Sequence, residues 1–323
     1  MIGGAGVDIK ARATSVFVTG ASNPGSVRYA FGGVARNVAE NLGRLGWRPR
    51  LVSAVGADED GEALLAQALA AGVEIRHVAR LAGVATGRYS ALLAGDGELI
   101  GAVADMAAVE GVEFASVPLR EMRPGDVAVI DANLNAVTCA LLLAACHKQG
   151  VTTFVEPVSA AKAKRLVGSM TRIDVLTPNV DELAALLGEG PDTALARWTE
   201  LALPEARRVI AQSADRLCRG GCAAVIVTCG AFGACLAAGD AKPQWFPAQK
   251  STVQDVTGAG DALLAGVLHG YLNGQALQSA MPYGMALAGL TVGALGAVVN
   301  TLTRERLEAE RLHYLTAPFP SEE

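Results

Sequence analysis

Between residues 34 and 228 the chain switches repeatedly between two hydrophobic periods, and this restricts the folds open to it more than any other feature. Helical spacing marks Val34 to Leu45, Asp60 to Ala71, Ala136 to Gln149, Val180 to Leu187 and Leu203 to Arg219. Short apolar runs mark strands at Arg50 to Val55, Val127 to Asp131, Thr152 to Glu156, Val175 to Pro178 and Ala223 to Thr228. Strands that are apolar on both faces, with helices between them, call for a parallel sheet covered on both sides. The expected fold class is α/β, a three-layer αβα sandwich with a mostly parallel central sheet. Such folds bind ligands beyond the carboxyl ends of their strands.

Two stretches break the pattern. Residues 11–31 are rich in Thr, Ser, Val and Tyr, with turn signals at Gly20 and Asn23-Pro24-Gly25; residues 87–104 hold a Gly95-Asp96-Gly97 turn between apolar runs. Both read as short strands that pair in a small sheet of their own. The expected division is a main body of residues 1–10, 37–84 and 106–323, and a small β-sheet lid of 11–36 and 85–105. Met1-Ile2 runs straight into Gly3-Gly4-Ala5-Gly6-Val7-Asp8, which reads as the tail of a mostly missing strand turning over a pocket. Residues 318–323 form a polar tail.

Composition narrows the partners. The 323 residues are 51% hydrophobic, enough for an extensive core. The net charge of −5, from 27 basic and 32 acidic residues, comes without any Lys/Arg-rich run. Nucleic acid and anionic membrane surfaces therefore find no electrostatic footprint, and a small-molecule partner is expected. Six cysteines lie in apolar segments with no leader pattern before them, which suggests core thiols in a reducing, cytoplasmic setting. Residues 262–303 carry no Asp, Glu, Lys or Arg, but Gly270, Gly274 and Pro282 interrupt them, so they read as buried helices and not as a membrane span.

Four motifs could carry chemistry. In the first, Asp255-Val256-Thr257-Gly258-Ala259-Gly260-Asp261 precedes an apolar helical run, Ala262 to Leu272. Small residues there let a ligand approach the backbone, and a helix start offers N–H groups and positive partial charge to an anion. A carboxylate at 261 repels that anion, yet it suits a base for an incoming hydroxyl. A favourable first-turn Asp explains the same residue without any function, and both readings stay open. In the second, Phe31-Gly32-Gly33 opens a helix carrying Asn37, a polar amide on an apolar face that needs a partner, either ligand hydroxyls or a neighbouring backbone. In the third, Asn179-Val180-Asp181-Glu182 matches a capping box and also suits Mg²⁺ held through waters. In the fourth, Thr228-Cys229-Gly230-Ala231-Phe232-Gly233 ends a buried strand in a tight turn.

In order and approximate spacing, these motifs resemble the ribokinase-like (PfkB) family of sugar and nucleoside kinases across essentially the whole chain. The absence of a Walker lysine motif agrees with that likeness. The resemblance implies an ATP-dependent phosphotransferase in which Asp261 takes the proton of an acceptor hydroxyl and Gly258, Ala259 and Gly260 form the anion hole. It further implies that Asp8, Gly33 and Asn37 hold ribose hydroxyls, and that Asn179 and Glu182 organise Mg²⁺ and phosphates. Thr228, Gly230 and Gly233 contact ATP in the same scheme, and Asn300 meets the nucleotide or a cation. That monovalent cation, K⁺, is assigned to Asp255 and Thr257 with carbonyls near Thr291 and Gly296. The strand islands match a lid that closes over the sugar and forms a homodimer contact.

Within the family, Ala21-Ser22-Asn23-Pro24-Gly25-Ser26, Gly32 to Leu42 and Ala104-Asp105-Met106 are most similar to pseudouridine kinases, which implies conversion of pseudouridine to its 5′-phosphate. Asp105 and Asn133 are candidate partners for the base, because a buried polar base edge must be paired. Strand-end turn chemistry explains Asp131 and Asn133 equally well. Other nucleosides and a ribokinase- or fructokinase-like sugar specificity stay as alternatives, as does a non-catalytic sugar- or nucleoside-binding relative. A dinucleotide-binding dehydrogenase is disfavoured because Gly3-Gly4-Ala5-Gly6-Val7-Asp8 lacks the third glycine of the fingerprint.

Overall fold

The computed structural model describes residues 1–317, so the expected polar tail lies outside the described residues. In chain order the elements are β1 (Gly6–Ala13), β2 (Gly25–Gly32), α1 (Val34–Arg44), β3 (Arg50–Gly56), α2 (Glu59–Ala70), β4 (Glu74–Leu81), β5 (Gly87–Leu93), β6 (Leu99–Asp105) and α3 (Ala107–Glu110). There follow β7 (Val127–Asp131), α4 (Ala136–Gln149), β8 (Thr152–Glu156), α5 (Ala160–Ala163), β9 (Val175–Leu176), α6 (Val180–Leu186), α7 (Leu203–Arg219) and β10 (Ala224–Thr228). The chain closes with β11 (Ala234–Ala238), β12 (Gln244–Phe246), α8 (Ala259–Leu272), α9 (Leu277–Val292) and α10 (Arg304–Thr316).

The main sheet runs β12-β11-β10-β9-β8-β7, parallel from β7 to β10 and antiparallel at its β11–β12 edge. A parallel pair, β3-β4, continues it through a single residue. Ile2 bridges Val52 on one side and Ile130 on the other, with Ile2 N–H donating to the Val129 carbonyl and Gly3 N–H to that of Val52. Alternate strand residues enter opposite cores. Ile130, Val155 and Val225 pack with α4, α6 and α7, while Val129, Phe154 and Ile226 pack with α1, α8 and α9. This alternation produces the three layers.

The lid is a separate four-stranded sheet, β2-β1-β5-β6, in which only the β1–β5 pair is parallel. Its first strand begins at Gly6, inside the segment 1–10 expected with the main body, because Gly6 pairs with Gly32 and Gly87 at once. The Gly95–Gly97 turn closes the β5–β6 hairpin, with Asp96 accepting from Glu98 N–H at 3.0 Å. Residues 262–303 form most of α8, all of α9 and the loop after it, and no helix of the described residues is long and apolar enough to cross a membrane. The two helices touch backbone to backbone: a Cβ on Gly266 would lie 2.4 Å from the Tyr283 carbonyl oxygen, and one on Gly284 2.8 Å from that of Leu263. All six cysteines are free thiols, five of them buried, in keeping with their reading as core residues.

Candidate active site

Three backbone segments converge on one buried carboxylate. Asp131, at the end of β7, accepts the N–H of Gly4 (2.7 Å) and of Ala35 (2.9 Å) on Oδ2, and that of Asn133 (2.9 Å) on Oδ1. The loop after Ile2, the start of α1 and the end of β7 are thereby fixed to one another. Glycine is required here: a Cβ on Gly3 would sit 2.3 Å from the Asp131 carboxyl, and Gly33, at φ 94°, lies where a Cβ would meet the Gly4 carbonyl at 2.5 Å. Asp131 thus does strand-end work. The Gly3–Gly6 loop leads into a strand and not a helix, so it is no dinucleotide fingerprint.

One turn into α1, the Asn37 amide donates to Asp261 Oδ2 at 2.7 Å while its own oxygen accepts from Arg36 at 3.0 Å. Asn37 therefore orients the carboxylate that opens α8. Gly258, in the left-handed region at φ 74°, caps that helix against Ala297, whose carbonyl oxygen would be 2.5 Å from a Cβ at 258. Of the three residues expected to form the anion hole, Ala259 has its N–H engaged with the Val256 carbonyl at 3.3 Å, whereas Gly260 stands exposed at the helix start. Burial, together with the carboxylates of Asp131, Asp8 and Glu182, outweighs the Asn37 bond and pushes the Asp261 carboxyl up to about 7.

Across from Asp261 lie the residues expected to meet the nucleotide. Asn179 and Glu182 form a full capping box: Glu182 N–H donates to the Asn179 side chain at 2.8 Å, and Asn179 N–H to Glu182 Oε2 at 2.9 Å. Asn179 also bridges to Thr228, and Gly230 (φ 54°) and Gly233 (φ 96°) close the following turn through a Cys229 N–H bond to the Gly233 carbonyl at 2.8 Å. Burial lifts Glu182 to about 7. Glu156, at the end of β8, is pushed well above the ordinary range by burial and then by Glu182, Asp261 and Asp131. No three His, Cys, Asp or Glu side chains among the described residues converge as a ready-made metal cage. The donor set nonetheless fits Mg²⁺, a hard cation usually held through waters, one or two carboxylates and substrate phosphates. Glu156 and Glu182 are such carboxylates, and among the described residues neither has a basic partner.

Between the lid and the loops before and after the α8–α9 pair lies a cavity of about 440 Å³, lined by Asp8, Lys10, Arg36, Asp255, Thr257 and Asn300 among others. The cation site expected here does not fit K⁺. Both oxygens of Asp255 accept from the ammonium of Lys10, at 2.8 and 3.1 Å, and Lys10 also bonds the Thr257 hydroxyl. Thr291 is fully buried and its carbonyl accepts the Ala294 N–H at 3.0 Å, while Gly296 lines the cavity. Asn300 is tied to α1 by Arg44 through its backbone carbonyl at 2.6 Å. Of the two residues expected to read a base, one lies inside the fold and the other at the surface. Asn133 is buried and accepts from Lys162 at 2.6 Å, and Asp105 remains exposed on β6, holding the Ala107 N–H at 3.2 Å.

Sequence reasoning missed Lys10, Arg36 and Glu156. Lys10 follows Asp8 by two residues, the period that puts both on one sheet face. Arg36, Glu40 and Arg44 stand at i, i+4 spacing and make a buried ion-pair ladder behind Asn37. Glu156 ends a parallel strand, where ligands bind in such sheets.

A family model described as pfkB family carbohydrate kinase matches residues 1–304. The pseudouridine kinase of Escherichia coli strain K12 is 30% identical over 276 residues, covering 85% of this chain and 83% of that protein. The guanosine-inosine kinase of Exiguobacterium acetylicum is 25% identical over 316 residues, covering 96% and 98%. Among solved structures, a carbohydrate kinase from Agrobacterium tumefaciens superposes with a TM-score of 0.76 at 29% identity over 96% of this chain and 95% of that one.

Proposed function

The chain belongs to the pfkB family of carbohydrate kinases and is a phosphotransferase with an alcohol group as acceptor; from that premise we propose that it uses ATP to phosphorylate the 5′-hydroxyl of a nucleoside, pseudouridine. The observation that carries the reading is Asp261: a carboxylate in the first turn of α8, beside exposed helix N–H groups, aimed by Asn37 and poised near pH 7. An acceptor hydroxyl within hydrogen-bond reach passes its proton to Asp261 as its oxygen bonds to phosphorus, and the phosphorus–oxygen bond to ADP breaks. The N–H of Gly260 and the positive end of α8 face the charge in transfer. Glu156 and Glu182 would hold Mg²⁺ through waters, and that ion would supply charge neutralisation on the phosphates. K⁺ is left out, since Lys10 already holds Asp255 and Thr257, two of its expected donors. Asp8, Gly33 and Asn37 line the acceptor side; Asn179, Thr228, Gly230 and Gly233 line the nucleotide side. The lid excludes water, which suppresses hydrolysis.

Pseudouridine is favoured by the relative at 30% identity and by the lid segment from Ala21 to Ser26. A purine nucleoside is the second reading, favoured by the near full-length likeness to the guanosine-inosine kinase. The outer lid exposes Val27 and Val103 at 71% and 72%, which supports pairing of two copies through this sheet. The deciding measurement is ADP release with ATP and Mg²⁺ on pseudouridine, uridine, inosine, adenosine, ribose and fructose at equal concentration. Rapid turnover on pseudouridine alone is expected. Preference for inosine moves the substrate to the second reading, and tight binding without transfer points to a binding protein.

A further inference from the structure

We propose that the ammonium group of Lys10 is this chain's own monovalent cation, seated between the Asp255 carboxylate and the Thr257 hydroxyl, so that phosphoryl transfer needs no K⁺. The inference rests on the kinase reading for its rate consequence but not for its structural one.

Asp255 lies three residues before the glycine that caps α8, and its Oδ1 also accepts the Thr257 N–H at 3.0 Å and the Thr257 hydroxyl at 2.6 Å. The short turn leading into the anion hole is thus folded around one carboxylate. That carboxylate holds an ammonium on both oxygens, in a pair whose side chains are only 22% and 16% exposed. An alkylammonium and a dehydrated K⁺ are cations of similar size and equal charge, and both take oxygen donors. A second cation beside Lys10 would meet like-charge repulsion, increased by Arg28 and Arg36 on the same cavity wall. Burial raises the Asp255 carboxyl, but the bonds from Lys10 and Thr257 prevail and hold it below its ordinary range. The cation is therefore covalently supplied and comes from β1, a strand of the lid.

Two arms test this. Crystals of the full chain and of Lys10→Met, which keeps the length of the side chain, are soaked in rubidium chloride and the anomalous signal is mapped. The wild type is expected to show none beside Asp255, and the variant a peak there; a wild-type peak, or an empty variant, overturns the proposal. In the second arm, ADP release is followed while K⁺ replaces Na⁺. The wild-type rate is expected to stay flat, whereas Lys10→Met loses ~10-fold or more and regains part of it with K⁺. Several-fold stimulation of the wild type by K⁺ overturns the proposal. A wild type that transfers to no acceptor sinks the kinase reading alone, because the rubidium map still decides the cation.

Discussion

The two sides of Asp261 treat charge in opposite ways. On the lid side the carboxylates of Asp255 and Glu40 each hold a cationic side chain, from Lys10 and from Arg36 and Arg44. On the strand-end side Asp131, Glu156, Glu182 and Asp261 have no ion pair among the described residues and rest on N–H groups alone. The titration directions follow: Asp255 goes down, while Asp261 and Glu182 rise to about 7. Asp8 apart, whose carboxyl burial pushes up, the lid side is neutralised by the chain itself. The other is short of positive charge, which is the condition a bound cation relieves.

The largest test of that contrast is Asp261→Asn. It is expected to lower kcat by ~10²–10⁴-fold, the range for a general base, and near-normal turnover would remove Asp261 from the chemistry. The same variant is expected to melt higher at pH 8. The folded carboxyl titrates near 7, above its unfolded value, so ionising it weakens the fold increasingly as pH rises to 7, and a neutral amide escapes that penalty. A lower Tm at pH 8 would break the picture of an uncompensated cluster. For the wild type, kcat/KM is expected to fall as pH drops through about 7, because the protonated form accepts no proton.

Asp131→Ala comes next. It strands three buried N–H groups, and chemical denaturation is expected to register a loss of ~3 kcal/mol or more; a loss below ~1 kcal/mol would mean that water replaces the carboxylate. The smallest effect concerns Mg²⁺ alone. Its stabilisation of Tm is expected to be larger at pH 8, where Glu182 and Asp261 are ionised, than at pH 5.5, and equal shifts would place the ion elsewhere.

What the sequence disclosed and what it concealed divide along physical lines. The strands at β7, β8 and β10 and the helices α1, α4 and α7 were legible because each follows one hydrophobic period over its length. β4, with His77 and Arg80 among its apolar residues, and the three-residue β12 carry too little pattern to stand out. The motifs around Asn37, Asn179 and Asp261 lie at helix starts, where residue choice is narrow, and they were found. The roles of Asp131, Glu156 and Lys10 depend on partners up to 245 residues away, a relation that no local window contains. That distance also hides the Lys10–Asp255 pair: Asp255 looks vacant until β1 is folded over it.

The close contact of α8 with α9 makes that pair a rigid part of the molecule. Glycines at 266 and 284 leave no clearance for one helix to slide past the other, so the end that carries Asp261 behaves as a stationary anvil. On the kinase reading we propose, the travel that admits a ligand and releases a product would fall to the four lid strands, which join the body where β2 meets α1 and β6 meets α3. Turnover and chemistry would then be adjusted in different places: the pace of the cycle at those junctions, the reaction itself on the anvil.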